Sequence, residues 1–136
     1  MSAATPVVAD THALVWYLDA DARLSAGART AFDDATAADL PIYVATITLL
    51  ELHELAVRGK VPTDAPQHLS ALLNAPDSAF EAYPLDTDVA SAAAAAPWRL
   101  GDPADRIIAG TAYVLRLPLV TRDRHLTDSG YITALW

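Results

Sequence analysis

Four carboxylates occupy positions from which they could do chemistry. Asp10 ends the apolar run Pro6–Asp10, and Glu51 lies between Leu50 and Leu52 in an apolar helical stretch. Asp105 follows a helix cap at Asp102 by three residues, and Asp123 follows the run Leu119–Thr121. Each is expected at a strand end or a nearby helix start. In open α/β sheets such places converge at the carboxyl ends of the strands, where ligands bind. Carboxylates held close together repel, and some stay protonated unless a cation joins them. Mg2+ or Mn2+ suits such a set, because hard divalent ions prefer oxygen ligands and leave positions for water and phosphate. An ion held this way lowers the pKa of a bound water, polarises a phosphoryl oxygen and stabilises a leaving oxygen, which is the chemistry of phosphodiester hydrolysis.

Each acid also has an ordinary reading. Asp10 is a good cap for the helix that follows it. Glu51 suits the solvated edge of an amphipathic helix, with Glu54 at i+3 on roughly the same side but further out. Asp105 complements the positive end of a helix in its first turn, and Asp102 reads as a cap alone. Asp123, flanked by Arg122 and Arg124, suits a surface ion-pair loop. The functional reading rests on the four together.

The elements that must position these acids alternate along the chain. PVVAD reads as a buried parallel strand, and Thr11 with HALVWYLD as a helix turning directly off it. Ser25 caps a second helix from Ala26 to about Ala38, broken by Pro41. IYVAT, Ile42–Thr46, is β-branched and aromatic and reads as a strand. Thr46 or Thr48 starts the helix ITLLELHELAVRGK, with Leu49, Leu52, Leu55 and Ala56 on one face and Gly59 ending it. Further elements are a helix from about Thr63 to Asn74, a strand over Phe80–Leu85, and a helix DVASAAAAA capped by Asp86 and ended by Pro97. The small residues of that last helix predict close packing against a neighbour.

Gly101–Asp123 is the central unit. Asp102 caps a helix with Pro103 at its first position. Ile107, Ile108, Tyr113, Val114 and Leu117 form its apolar face, Pro118 stops it, and LVT is a short buried strand. A polar loop, RHLTDSG, and a last strand, YITALW, complete the chain. Strands alternating with helices predict a mostly parallel sheet covered on both faces.

The 136 residues suit one domain. No cysteine is present, which excludes disulfides and thiolate metal sites. No Lys or Arg precedes Arg23 and no apolar run is long enough to span a bilayer, so the expectation is a soluble cytoplasmic protein. The net charge of -8 argues against a general nucleic-acid coat, though not against a nuclease whose cations meet the phosphate. His12, His53, His68 and His125 show no zinc spacing, and no glycine-rich phosphate loop occurs. An aspartyl-phosphate site would want a second Asp two residues after Asp10, where His12 stands. A receiver domain would want a Lys after a later strand, and the one Lys is Lys60. Trp16, Tyr17 and Trp98 read as core or partner-interface residues, and Trp136 as packing on the core or on another chain.

The segments VVADTHALVWYLD, ITLLELHELAVRGK, DPADRIIAGTA and LVTRD resemble, in order and spacing, the PIN-domain family and within it the VapC-type toxins of bacterial toxin–antitoxin pairs. The resemblance spans nearly the whole chain, and DPADRIIAGTA and LVTRD carry most of it. It implies a three-layer α/β/α sandwich with a central, mostly parallel sheet, as a single PIN-like domain over residues 1–136. It implies an acidic tetrad, Asp10, Glu51, Asp105 and Asp123, serving as catalytic residues and as ligands for Mg2+ or Mn2+. Thr11 and Thr121 match flanking hydroxyl positions. The implied activity is endoribonuclease cleavage of single-stranded or looped RNA, with a cognate antitoxin as partner and a homodimer as the assembly. Arg99, Arg106, Arg122 and Arg124 are the candidate phosphate contacts, each with a surface ion pair as its ordinary reading. The alternative is a catalytically silent PIN-like module that binds RNA or protein.

Overall fold

Five short strands, almost wholly apolar, form the centre of the chain in a computed structural model that describes residues 3–96 and 102–136. They are β1 (Val7–Ala9), β2 (Ile42–Ala45), β3 (Phe80–Tyr83), β4 (Leu119–Val120) and β5 (Ala134–Leu135). All pair in parallel, in the order β3-β2-β1-β4-β5. The described helices are α1 (Thr11–Leu18), α2 (Ala26–Ala37), α3 (Ile47–Val57), α4 (Ala65–Asn74), α5 (Thr87–Ala95), α6 (Pro103–Leu115) and α7 (Arg124–Asp128). Pro97, Trp98 and Arg99 lie outside the described residues.

The pleat divides the core in two, because successive strand residues face opposite sides. Val7, Ala9, Ile42, Val44 and Val120 pack with Leu14, Phe32, Leu52 and Leu69 from α1, α2, α3 and α4. Val8, Ala45 and Leu119 pack on the other side with Ile108, Ala109 and Ala112 of α6 and Leu126 of α7. The result is the expected α/β/α sandwich. A sheet buried on both faces requires strands that are apolar throughout rather than alternating, and VVA, IYVA and LV are such runs. The chain winds outward from β1 to β3, then returns to place β4 on the other side of β1. The switch point of the sheet therefore lies between β1 and β4, directly below Asp10 and Asp123 in sequence order. No helix among the described residues is long and apolar enough to cross a membrane.

The central unit and the chain after it differ from the sequence reading in four ways. The buried face of α6 is Ile108, Ala109, Gly110, Thr111 and Ala112, whereas Tyr113 is exposed and stacks on Tyr131 with ring centroids 4.0 Å apart. The cause is the closeness of α5: a Cβ on Gly110 would lie 3.1 Å from both the Ala93 nitrogen and the Val89 oxygen, so small residues fill this seam. The helix ends at Leu115 because Arg116 turns left-handed (φ 55) and its N–H bonds back to Ala112 and Tyr113, before Pro118 is reached. The loop RHLTDSG instead begins with α7, since Asp123 accepts the His125 N–H at 2.9 Å and buried Leu126 anchors the turn. The last strand is shorter than YITALW, covering Ala134–Leu135 alone.

Candidate active site

Asp10 leaves the end of β1 and caps α1. Its Oδ1 accepts the Thr11 N–H at 2.8 Å and its Oδ2 accepts the Thr121 hydroxyl at 2.7 Å. Thr121 follows β4, is buried, and its Oγ1 also accepts the Asp123 N–H at 3.1 Å. One hydroxyl therefore fixes two acids that are far apart in sequence. Glu51 is half-buried on α3, and the Thr11 hydroxyl donates to its Oε1 at 2.6 Å. Thr11 has a single hydroxyl proton, so the 3.2 Å contact between the Thr11 and Thr48 hydroxyls has Thr48 as the donor. Thr11 and Thr48 are both fully buried, which holds the chain Thr48–Thr11–Glu51 in one geometry. Glu54 is exposed, as its place on the helix predicts.

Asp102 caps α6 by accepting the Ala104 N–H at 2.9 Å. It does more than cap: carboxylate oxygens of Glu51, Asp102 and Asp105 lie within 4.8 Å of one another. Sequence reasoning missed this fifth acid because its capping role already explained it. Asp10, Glu51, Asp102, Asp105 and Asp123 all line one cleft of about 370 Å³. The structure thus brings all four sequence-derived acids together. A larger hollow of about 630 Å³ between the end of α6 and Gly130–Thr133 contains no carboxylate or histidine among its described lining residues.

The crowding shows in the acid–base properties. Asp105 has no hydrogen-bond donor among the described residues, and its carboxyl is pushed from 3.8 up to about 7. Burial is the largest cause, followed by the charges of Asp10, Asp102, Glu51 and Asp123. Burial also raises Asp10, opposed by the bonds from Thr121 and Thr11. Glu51 is raised by burial, opposed by the Thr11 hydroxyl and reinforced by Asp10, Asp102 and Glu54. Clustered oxygen donors with raised pKa values fit a hard divalent cation, whose charge offsets the burial and repulsion that raise them. No cysteine is present to favour a softer metal.

One of the candidate phosphate contacts is engaged elsewhere. Arg106 does not face phosphate: its Nε and Nη2 donate to the Ala93 and Ala94 carbonyls at 3.0 and 3.1 Å, tying α6 to the end of α5. Arg122 lies over the Trp16 ring, 4.6 Å from its centroid. Neither pairs with Asp123, and the one ion pair among the described residues is Arg23–Asp21 at 2.7 Å. Arg124 is exposed on α7. His12 lines the cleft, whereas the His125 N–H serves the cap of α7.

Fold and cleft together define a parallel α/β protein with a cation-compatible carboxylate cluster at the switch point of its sheet. The chain belongs to the PIN domain family, whose model matches residues 7–129. No curated protein matches the chain. Among solved structures it is similar to VapBC2 from Rickettsia felis bound to a promoter DNA fragment (TM-score 0.68, 13% identity, 96% of this chain and 97% of that one). It is also similar to FitAcB from Neisseria gonorrhoeae (TM-score 0.65, 20% identity, 94% and 95%). DNA-bound VapBC from Salmonella typhimurium gives a TM-score of 0.64 at 23% identity, over 96% of both chains. At these identities the likeness is one of fold.

Proposed function

We propose that the chain is a divalent-cation-dependent endoribonuclease acting as the toxin of a toxin–antitoxin pair. The observation that carries this reading is the convergence of five carboxylates in one cleft of a PIN fold, with Asp105 pushed up to about 7. Asp10, Glu51, Asp105 and Asp123 would hold Mg2+ or Mn2+, with Asp102 beside Glu51 and Asp105. The bound ion would supply an activated water and positive charge for the phosphoryl oxygens. Thr121 keeps Asp10 and Asp123 oriented, and the Thr48–Thr11 pair keeps Glu51 oriented. With its pKa pushed up to about 7, Asp105 would give up a proton on holding the cation. A structure of similar fold described as a toxin–antitoxin complex from Klebsiella pneumoniae supports an antitoxin as partner. Residues 1–136 form a single domain in this reading, working in the cytoplasm as a homodimer.

The test is cleavage of an RNA pool by protein freed of any partner, in Mg2+, Mn2+ and EDTA, with Asp10→Asn and Asp105→Asn beside the wild type. Cation-dependent cleavage lost in both folded variants is the expected outcome. Equal cleavage by all three proteins would refute the assignment of the site. No cleavage with the cation still bound would favour a silent binding module.

A further inference from the structure

The cleft has a second component that the acids do not explain. Trp16 lines it but is only 4% exposed, and its ring is covered by two guanidinium groups, Arg122 at 4.6 Å and Arg23 at 5.0 Å from the ring centroid. Trp136 meets Trp16 edge-on, with centroids 6.0 Å apart and planes at 63°. Trp136 remains 39% exposed and lines the same cleft as Asp10 and Asp123. Its backbone is firmly seated. The Leu135 carbonyl accepts the Thr121 N–H at 3.1 Å, and a Cβ on Gly27 would lie 2.9 Å from the Trp136 oxygen. The exposed indole is therefore presented by a fixed piece of chain.

Arg122 is the one Lys or Arg among the described residues lining this cleft. It has Asp123 next to it in sequence and forms no ion pair with it. Instead its guanidinium carbon sits over the Trp16 ring, 4.6 Å from the centroid, where cation–π attraction holds it. A cleft with five carboxylates repels a polyanion except where a cation sits. Something besides charge must orient the strand entering it. Aromatic faces and arginine planes do this for unpaired bases, without regard to which base is present. A duplex cannot use such a wall, because its bases are already stacked on one another.

The geometry points to Trp136 and the Arg122 guanidinium as a stacking wall for one unpaired nucleobase of an RNA strand whose phosphodiester lies at the carboxylate cluster. The inference rests on the nuclease reading for its substrate, whose unpaired form the family resemblance already implies, and adds the two side chains that orient one of its bases. Both residues are positioning residues; neither touches the reacting atoms. Trp16 acts behind them by holding the guanidinium plane.

The test measures binding, so that it stands apart from turnover. A fluorescein-labelled six-nucleotide RNA is titrated with the protein in Ca2+ and followed by anisotropy, beside a set in which each nucleotide in turn lacks its base. For the wild type, one abasic position costs roughly tenfold in affinity, the scale of a base–aromatic stack. In Trp136→Leu, which keeps apolar bulk but loses the flat face, that difference falls toward none, and Trp136→Tyr restores most of it. In Arg122→Lys the difference shrinks although the charge, and so the salt dependence of binding, is kept. A wild type indifferent to every abasic position would overturn the inference. So would a Trp136→Leu protein that weakens on intact and abasic strands alike, since that is a structural effect. Base-dependent binding without cation-dependent cleavage would uphold the wall and count against the nuclease reading alone.

Discussion

Replacing Asp105 by Asn should make the cation-free protein more stable while abolishing the response to Mg2+. Asp105 accepts no hydrogen bond among the described residues, so the substitution breaks none and removes one charge from a crowd of five. Its pKa of about 7 against 3.8 means that folding opposes its ionisation. A folded-state pKa raised above the unfolded value binds extra protons in the fold, so stability declines as pH rises. The penalty begins near 3.8, where the unfolded carboxyl ionises, and is complete above about 7. Unscreened, a shift of that size corresponds to about 4 kcal/mol. Asp105 is only half-buried, and solvent screening reduces this to roughly 1–2 kcal/mol. In EDTA at about pH 8 the variant should therefore melt roughly 3–8 °C above the wild type. With Mg2+ the order should reverse, because the wild type gains binding energy that the variant has lost. The assay is thermal unfolding by circular dichroism with and without the ion, across pH. A folded Asp105→Asn protein no more stable than the wild type in EDTA would refute the argument that these carboxylates repel one another.

Two other substitutions probe the supports of the cleft. Thr121→Val keeps the side-chain volume but removes the donor to Asp10 and the acceptor for the Asp123 N–H; cleavage should fall by at least tenfold, with a stability loss of about 1–3 kcal/mol, read by kinetics and denaturant titration. Gly110→Ala places a methyl 3.1 Å from the α5 backbone. The helix-propensity gain of about 1 kcal/mol should be outweighed by overpacking of about 1–3 kcal/mol, so the midpoint of urea unfolding should drop; a rise would mean that α5 yields easily.

The fold was legible because β1, β2 and β4 are apolar in both pleat directions and β1, β2 and β3 are each followed by a helix with a recognisable start. Ser25, Asp86 and Asp102 cap the helices they were expected to cap, through side-chain bonds to Ala28, Val89 and Ala104. The acids were legible because each stands at a strand end or early in a helix. What was hidden depended on contacts between distant segments. The face of α6 was read in part: Ile108 is in the core and Leu117 packs against it as expected, but Tyr113 is exposed, and small residues fill the seam with α5. Thr48 was read as one of two candidate starts of α3, a place that Thr46 holds, and nothing local shows that Thr11 is brought beside it. Arg106 looked like a surface cation because the open carbonyls of Ala93 and Ala94 come from another helix. Asp102 shows that one carboxylate can cap a helix and also belong to the acid cluster.

The bond from Thr121 to Asp10 spans 111 positions in the chain. The cleft therefore cannot exist until nearly all of the polypeptide is available. While the earlier elements form, β1 presents a bare parallel edge on the side that β4 will take, and such edges invite pairing with other chains. Contacts this remote in sequence are slow to form, because a long loop must close before they stabilise anything. A nascent or truncated chain lacking β4 has Asp10 and Glu51 but neither Thr121 to aim Asp10 nor Asp123 to join them. The order of assembly delays completion of the carboxylate cluster until the last third of the chain has been inserted, so the cluster and this part of the sheet are completed in the same event.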